Sequence, residues 1–195
     1  DDPSINVEYL KRADKSVDRM IQIIDDLETI SQLEVGTLEL DPEVYDIAKQ
    51  LRDIIDALEF QASKQNIKLQ LAKKYDKSIV VKADKFRIRQ VLVNLITNSI
   101  KYGKENGKIT ISLNLFDEQV IVEVKDNGIG IDEKHLPRLF ERFYRVDKGR
   151  SREQGGTGLG LAIVKHIIEG HGETIDVISK VNEGTTISFT LKRGN

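Results

Sequence analysis

Three separated stretches carry residues whose types and spacing suit a nucleotide. The first is RQVLVNLITNSIKY, residues 89–102. Read as a helix at ~100° per residue, it places Asn94, Asn98 and Lys101 within a narrow arc. Tyr102 lies one turn beyond Asn98. Asparagine is a mediocre helix former, costing up to ~0.7 kcal/mol against alanine. Its amide oxygen is, however, a neutral hard ligand suited to Mg²⁺. A solvated helix face is the competing explanation, above all for Lys101. The second stretch is DNGIGI, residues 126–131, at the end of VIVEVKDNGIGI. Val120, Val122 and Val124 alternate, and on a period of two Asp126 shares their face. A carboxylate on a half-buried face needs a donor, and an exocyclic amine such as adenine's would serve. Gly128 and Gly130 leave room beside it for a flat ligand. Asp-Asn-Gly is equally common turn chemistry, so a strand-ending turn stands beside the ligand reading. The third stretch is GGTGLGLAIVKHII, residues 155–168. Glycines ahead of a helix let backbone N–H groups approach an anion at the positive end of the dipole. No GxxxxGK[ST] loop occurs, and Ile163 fills the third glycine position of a dinucleotide fingerprint. A buried acid, a Mg²⁺-capable amide and a phosphate cradle are together the parts of an ATP site.

The elements around these stretches are legible from periodicity. Residues 5–36 read as one long helix, capped by Asp2 or Ser4 and stopped by Gly36. Leu10, Val17 and Ile24 form one sevenfold series, and Ala13, Met20 and Leu27 a second, three residues out of step. That is an a/d seam; Ile23 and Ile30 widen it toward a bundle of four helices. At ~1.5 Å per residue the rod is roughly 45 Å long. Its seam must meet another chain or fold back on the remainder. TLELDPEVYDI looks extended. Ile47, Leu51, Ile54, Ile55, Leu58 and Ala62 mark an amphipathic helix ending near Asn66. IKLQL and SIVVKA are short strands, and a helix runs from an Asp84 cap to Tyr102. ITISLNLF and QVIVEVKD form a hairpin through Asp117 and Glu118. A helix from Gly158 to Gly170 precedes a second hairpin, TIDVIS and TTISFTL, turning at VNEG. The expected fold class is α+β: a two-layer α/β sandwich, a mixed sheet with helices on one face, preceded by the coiled-coil-like helix. Between Phe140 and Gly155, five basic residues stand against three acids with little periodicity, which suits a lid over about 141–157.

Composition bounds the partners. The chain has 195 residues, is 39% hydrophobic and 32% charged, and carries a formal net charge of -2, so no basic excess points to nucleic acid or an anionic membrane. It has no cysteine, which excludes disulfides and thiolate metal sites. No apolar run approaches a membrane span. The start at DDPS, without methionine, is that expected of an excised fragment.

With these motifs in order, the sequence resembles the catalytic region of sensor histidine kinases, in the GHKL ATP-binding superfamily. RQVLVNLITNSIKY resembles the N box, DNGIGI the G1 box, LFERFYR the F box, GGTGLGLAI the G2 box and EGTTISFTL the final glycine-threonine strand. LFERFYR separates it from gyrase, heat-shock chaperone and mismatch-repair relatives. The resemblance spans roughly residues 37–192 and implies domains at 1–36, the second helix of a dimerisation hairpin, and 37–195, the ATP-binding domain. It implies that Asp126 accepts the adenine amine, with Thr185 supporting that pocket and Gly128 and Gly130 letting the nucleotide lie close. Asn98 would hold Mg²⁺, helped by Asn94; Lys101 would meet phosphate and Tyr102 flank the base or sugar. Gly156, Gly158, Leu159 and Gly160 belong to the nucleotide-binding glycine box, and Arg145 would reach the γ-phosphate. The implied partners are ATP or ADP, the receiver domain of a response regulator and dimerisation helices of the same kind, in a cytoplasmic, homodimeric kinase. This fragment would contact no membrane.

One part is missing. The family's phosphoacceptor sits in an HExxxP-like motif, and none exists here; the histidines are His135, His166 and His171. All three read as structural or solvated. The leading expectation is therefore a catalytic fragment that transfers the ATP γ-phosphoryl group to a histidine supplied elsewhere and does not autophosphorylate alone. A nucleotide-dependent binding module for partner helices or a regulator is the alternative. A GHKL ATPase is a third, disfavoured because no acid lies near Asn94 and Asn98 on that helix face to activate water. Glu173, where the family often has glycine, carries no functional meaning.

Overall fold

The computed structural model describes residues 39–146 and 157–194, together with 9, 10, 14, 16, 17, 20, 21, 23, 24, 26–29 and 31. Strands β4 (Lys108–Phe116) and β5 (Gln119–Asp126) form the expected hairpin, turning at Asp117 with φ +47°. Strands β6 (Ile175–Lys180) and β7 (Gly184–Lys192) form the second. β7 pairs antiparallel with β5, and β2 (Lys68–Leu71) adds a parallel edge beside β4, giving the order β2-β4-β5-β7-β6. The sheet is thus mixed.

Register explains the layering. Ile111, Val124 and Ile187 form one cross-strand row, and Leu113, Val122 and Phe189 the next. Each of these side chains is buried. The opposite face carries Ser112, Glu123 and Ser188 in one row and leaves them partly exposed. A sheet with one apolar face must cover it. Three helices do so: α1 (Ile47–Ser63), α2 (Lys85–Lys101) and α3 (Gly160–Gly170). Their buried residues join those of the strands in one core.

The caps follow the sequence. Asp46 Oδ1 accepts from Ala48 N at 3.0 Å, and Asp84 Oδ1 from Arg87 N at 3.0 Å. Each satisfies one donor that the first helical turn leaves open. α1 stops where Asn66 turns left-handed at φ +54°.

Several expectations change in detail. Among the described residues of the extended stretch TLELDPEVYDI, only β1 (Glu43–Asp46) is a strand; it pairs with β3 (Val80–Ala83) in a separate two-stranded ribbon. That ribbon touches the main sheet through one bridge, Val81 with Arg193. α3 begins at Gly160 rather than Gly158, because Gly158 is left-handed at φ +78°. A 3-10 helix, Glu133–Arg138, occupies a stretch given no element from sequence; its Pro137 and its shortness hide it from periodicity. Residues 147–156, most of the expected lid, lie outside the described residues.

Every described residue of the N-terminal segment from 9 to 31 is helical. Of its expected seam, Leu10, Val17, Met20, Ile24 and Leu27 are exposed, while Ala13 and Ile30 lie outside the described residues. Contact with the sandwich runs along the widened edge of the seam, where Ile23 packs on the core and Asp26 is only 7% exposed.

Candidate nucleotide site

α2 presents its asparagines because its neighbouring arc is committed to the core. Ile88, Val91, Leu92, Leu95 and Ile96 are fully or almost fully buried, so Asn94, Asn98 and Lys101 turn toward the gap between α2 and the start of α3. That gap is a cleft of about 970 Å³, a size suited to a small-molecule ligand. Asn94, Asn98, Lys101 and Tyr102 line it from α2. Asp126, Gly130 and Thr185 line it from the sheet, and Arg145, Gly158 and Gly160 from the glycine-rich side. Residues scattered from 94 to 185 therefore meet on one hollow.

Asp126 sits where parity places it, opposite Ile109 and one step beyond Val124. Its Oδ1 accepts from Gly128 N at 2.8 Å and Thr185 N at 3.2 Å; its Oδ2 accepts from Ser99 Oγ at 3.3 Å. An ionised carboxylate offers about four lone-pair sites, so acceptor capacity remains toward the cleft. Burial pushes the Asp126 carboxyl above the usual range, and the bonds from Gly128, Thr185 and Ser99 pull against that shift.

Both glycines of this loop have backbone close beside them. A Cβ on Gly128 would stand 2.5 Å from Tyr102 O and 2.8 Å from Asp126 Oδ1, so Gly128 faces protein and not the cleft. A Cβ on Gly130, at φ +67°, would meet Lys180 O at 2.0 Å. Both residues let backbone approach backbone and so pin the loop. Ile129 N donates to Tyr102 O at 3.2 Å, and Asn182 N to Ile129 O at 2.7 Å. Ile131 N donates to Ser179 Oγ at 2.9 Å, and that hydroxyl also bonds Thr185 Oγ1 at 2.8 Å.

At the other end, α3 opens toward the cleft without a side-chain cap. Its first backbone N–H groups and the positive end of its dipole are available to an anion. Gly160 abuts Asn94: a Cβ there would be 3.3 Å from Asn94 Oδ1. Leu159 is fully buried in the core and supports the turn instead of lining the cleft. Gly156 lies outside the described residues.

Two contributors were missed from sequence. Ser99 falls on the apolar arc of α2 with Leu92, Leu95 and Ile96, and a buried hydroxyl on such an arc needs a partner. That signal was readable; the partner is Asp126. Asp26 was not readable. It reaches the cleft wall from the N-terminal segment, where its Oδ2 accepts from Thr157 Oγ1 at 3.3 Å. An acid thus lines the cleft from a distant helical segment, beside Thr157.

The histidines have structural contacts. His171 Nε2 accepts from Asp84 N at 2.9 Å while Nδ1 lies 2.8 Å from Ile167 O, so it joins the end of α3 to the cap of α2. His135 Nδ1 is 2.6 Å from the Tyr144 hydroxyl. Burial, with the Arg142 charge second, holds His166 below the usual imidazole range. Glu173 Oε2 accepts from Gln119 Nε2 at 3.1 Å and from the Thr190 hydroxyl, tying the ends of β5 and β7.

Comparison with known proteins bears directly on this arrangement. Residues 83–195 match the family described as histidine kinase-, DNA gyrase B-, and HSP90-like ATPase. The chain belongs to this ATPase family. Within it, the chain is similar to the sensor histidine kinase WalK of Bacillus subtilis (strain 168), 38% identical over 185 residues, which are 94% of this chain and 30% of WalK. The catalytic domain of histidine kinase ThkA superposes with a TM-score of 0.69 at 30% identity, covering 78% of this chain and 96% of that domain. Full-length ShkA, solved in complex with AMPPNP, gives a TM-score of 0.82 at 25% identity over 96% of this chain and 39% of ShkA. The chain spans well under half the length of the curated relatives it matches. It is an ATP-binding catalytic domain of the histidine kinase type, and its mixed sheet and helices are that fold. Among the described residues, no helix is long and apolar enough to cross a membrane.

Proposed function

We propose that residues 37–195 bind ATP with Mg²⁺ and transfer its γ-phosphoryl group to a histidine outside this chain, for relay to a response regulator. The convergence of Asp126, Asn98 and the Gly158–Gly160 turn on one cleft supports this most directly. The spare acceptor capacity of Asp126 suits the adenine amine, with Thr185 buttressing it through Ser179. The donor set near α2 suits a hard cation: amide oxygens of Asn98 and Asn94 would hold Mg²⁺ together with phosphate oxygens and water. Bound there, the ion would neutralise charge on the phosphates. Lys101, Arg145 and the N–H groups at the start of α3 orient the same phosphates. Phosphoryl transfer depends on such positioning and charge stabilisation more than on covalent help from the protein. A neutral imidazole needs no strong base to attack.

The N-terminal segment, residues 1–36, is the second helix of a dimerisation hairpin in this reading, and its exposed Leu10, Val17, Met20, Ile24 and Leu27 meet helices of the same kind in a homodimer. The domain works on the cytoplasmic side, where ATP is. Nucleotide titration by calorimetry, with and without Mg²⁺, tests the site; Asn98→Ala should abolish the Mg²⁺-dependent gain. Labelled ATP should mark a separately supplied acceptor domain and leave this chain unlabelled. Label on a histidine of this chain, or Asn98→Ala transfer at the wild-type rate, would overturn the proposal.

A further inference from the structure

Tyr144 is held from two sides. The His135 Nδ1 lies 2.6 Å from its hydroxyl oxygen, and the Arg138 guanidinium sits over its ring, 4.4 Å from the centroid. Arg138 is steadied by Glu141, whose Oε2 accepts from Nε at 3.0 Å and Nη2 at 2.9 Å. Both His135 and Arg138 belong to the 3-10 helix, capped by Asp132, that follows directly on the Asp126 loop. Tyr144 is therefore fastened to the end of the cleft that holds Asp126. The next residue, Arg145, belongs to the opposite end. Its Cγ would be 3.4 Å from a Cβ on Gly158. Phe143 N donates to Gly158 O at 2.9 Å, and Phe143 is left-handed at φ +59°. A non-glycine residue in that region is unfavourable unless its surroundings hold it. The turn carrying Arg145 needs an anchor, and the His135–Tyr144 contact is placed to be one.

We propose that His135 is a positioning residue for the phosphate end of the nucleotide. Its bond to Tyr144 fixes where Arg145 and Gly158 stand relative to Asp126, and so sets the span between the base and phosphate subsites. His135 is not on the cleft wall and touches no part of the nucleotide. The inference rests on the nucleotide reading above.

Adenosine and AMPPNP, each titrated with Mg²⁺ against wild type and His135→Ala, separate the possibilities. Adenosine should bind both proteins within about twofold, whereas AMPPNP should weaken about five- to tenfold, the scale of one lost hydrogen bond. Tyr144→Phe keeps the ring beneath Arg138 and removes the hydroxyl, so it should reproduce the pattern; it carries the test if His135→Ala fails to fold. His135→Asn, which can still bridge to the hydroxyl, should restore part of the AMPPNP affinity. Equal loss for both ligands would show a merely structural role and overturn the proposal, as would unchanged AMPPNP affinity in both variants. A wild-type chain that binds no AMPPNP would instead sink the nucleotide reading itself.

Discussion

Replacing Asp126 by asparagine changes one acceptor and spares the fold. The Asn Oδ1 can take over both backbone donors, Gly128 N and Thr185 N. The Nδ2 then faces Ser99 Oγ, and the hydroxyl can rotate from donating to accepting. All three protein contacts survive in altered form. The adenine amine fares otherwise: it meets an N–H where it had a carboxylate. A hydrogen bond to a charged group contributes about 1.5–3 kcal/mol, so AMPPNP affinity should fall about 10- to 100-fold. Inosine triphosphate carries a carbonyl oxygen in place of that amine, and Asp126→Asn should bind it more tightly than wild type does. The assay is calorimetric titration of both nucleotides on both proteins, with thermal unfolding as the fold control. The pH dependence adds a second check. Burial raises the Asp126 carboxyl, so its contribution to stability is fully present below the unfolded-state value and is lost as pH rises through the folded one. Wild type should therefore gain stability relative to Asp126→Asn as the solution is acidified through that window. A folded variant with undiminished AMPPNP affinity, or with no gain for inosine triphosphate, would refute the assignment of Asp126 to the base.

Two further perturbations probe the frame. Gly184→Ala puts a Cβ 2.1 Å from Asp126 O at φ +119°; it should cost about 2–4 kcal/mol, read as a lowered unfolding midpoint in denaturant. Asp26→Asn removes a negative charge beside Thr157 at the phosphate end; AMPPNP should then bind about three- to tenfold more tightly, and adenosine unchanged, by calorimetry.

Most of the sandwich was legible because its signals are local. Alternation along β4, β5 and β7 and the 3.6-residue stripe of α2 each report one buried face, and Asp84 announces its own helix. Asp126 was legible for the same reason: parity alone sets its face. Beyond the short 3-10 helix and the readable signal of Ser99, the losses concern contacts between distant backbones or segments. No periodicity reveals that Gly128 and Gly130 stand against the carbonyls of Tyr102 and Lys180, since every residue has a carbonyl. Nor does composition reveal that β1 and β3 leave the main sheet for a ribbon of their own. Asp26 looked like one polar position among many on a helix, and only the fold brings it to Thr157.

The bond from Phe143 to Gly158 has an evolutionary corollary. This bond holds together the two points at which the chain leaves and rejoins the described body of the protein. Doubling the length of such a loop costs only about 0.6 kcal/mol in closure entropy. Changes of length between the two feet should thus be tolerated where they spare Tyr144 and Arg145 at one end and Thr157 at the other, which line the cleft.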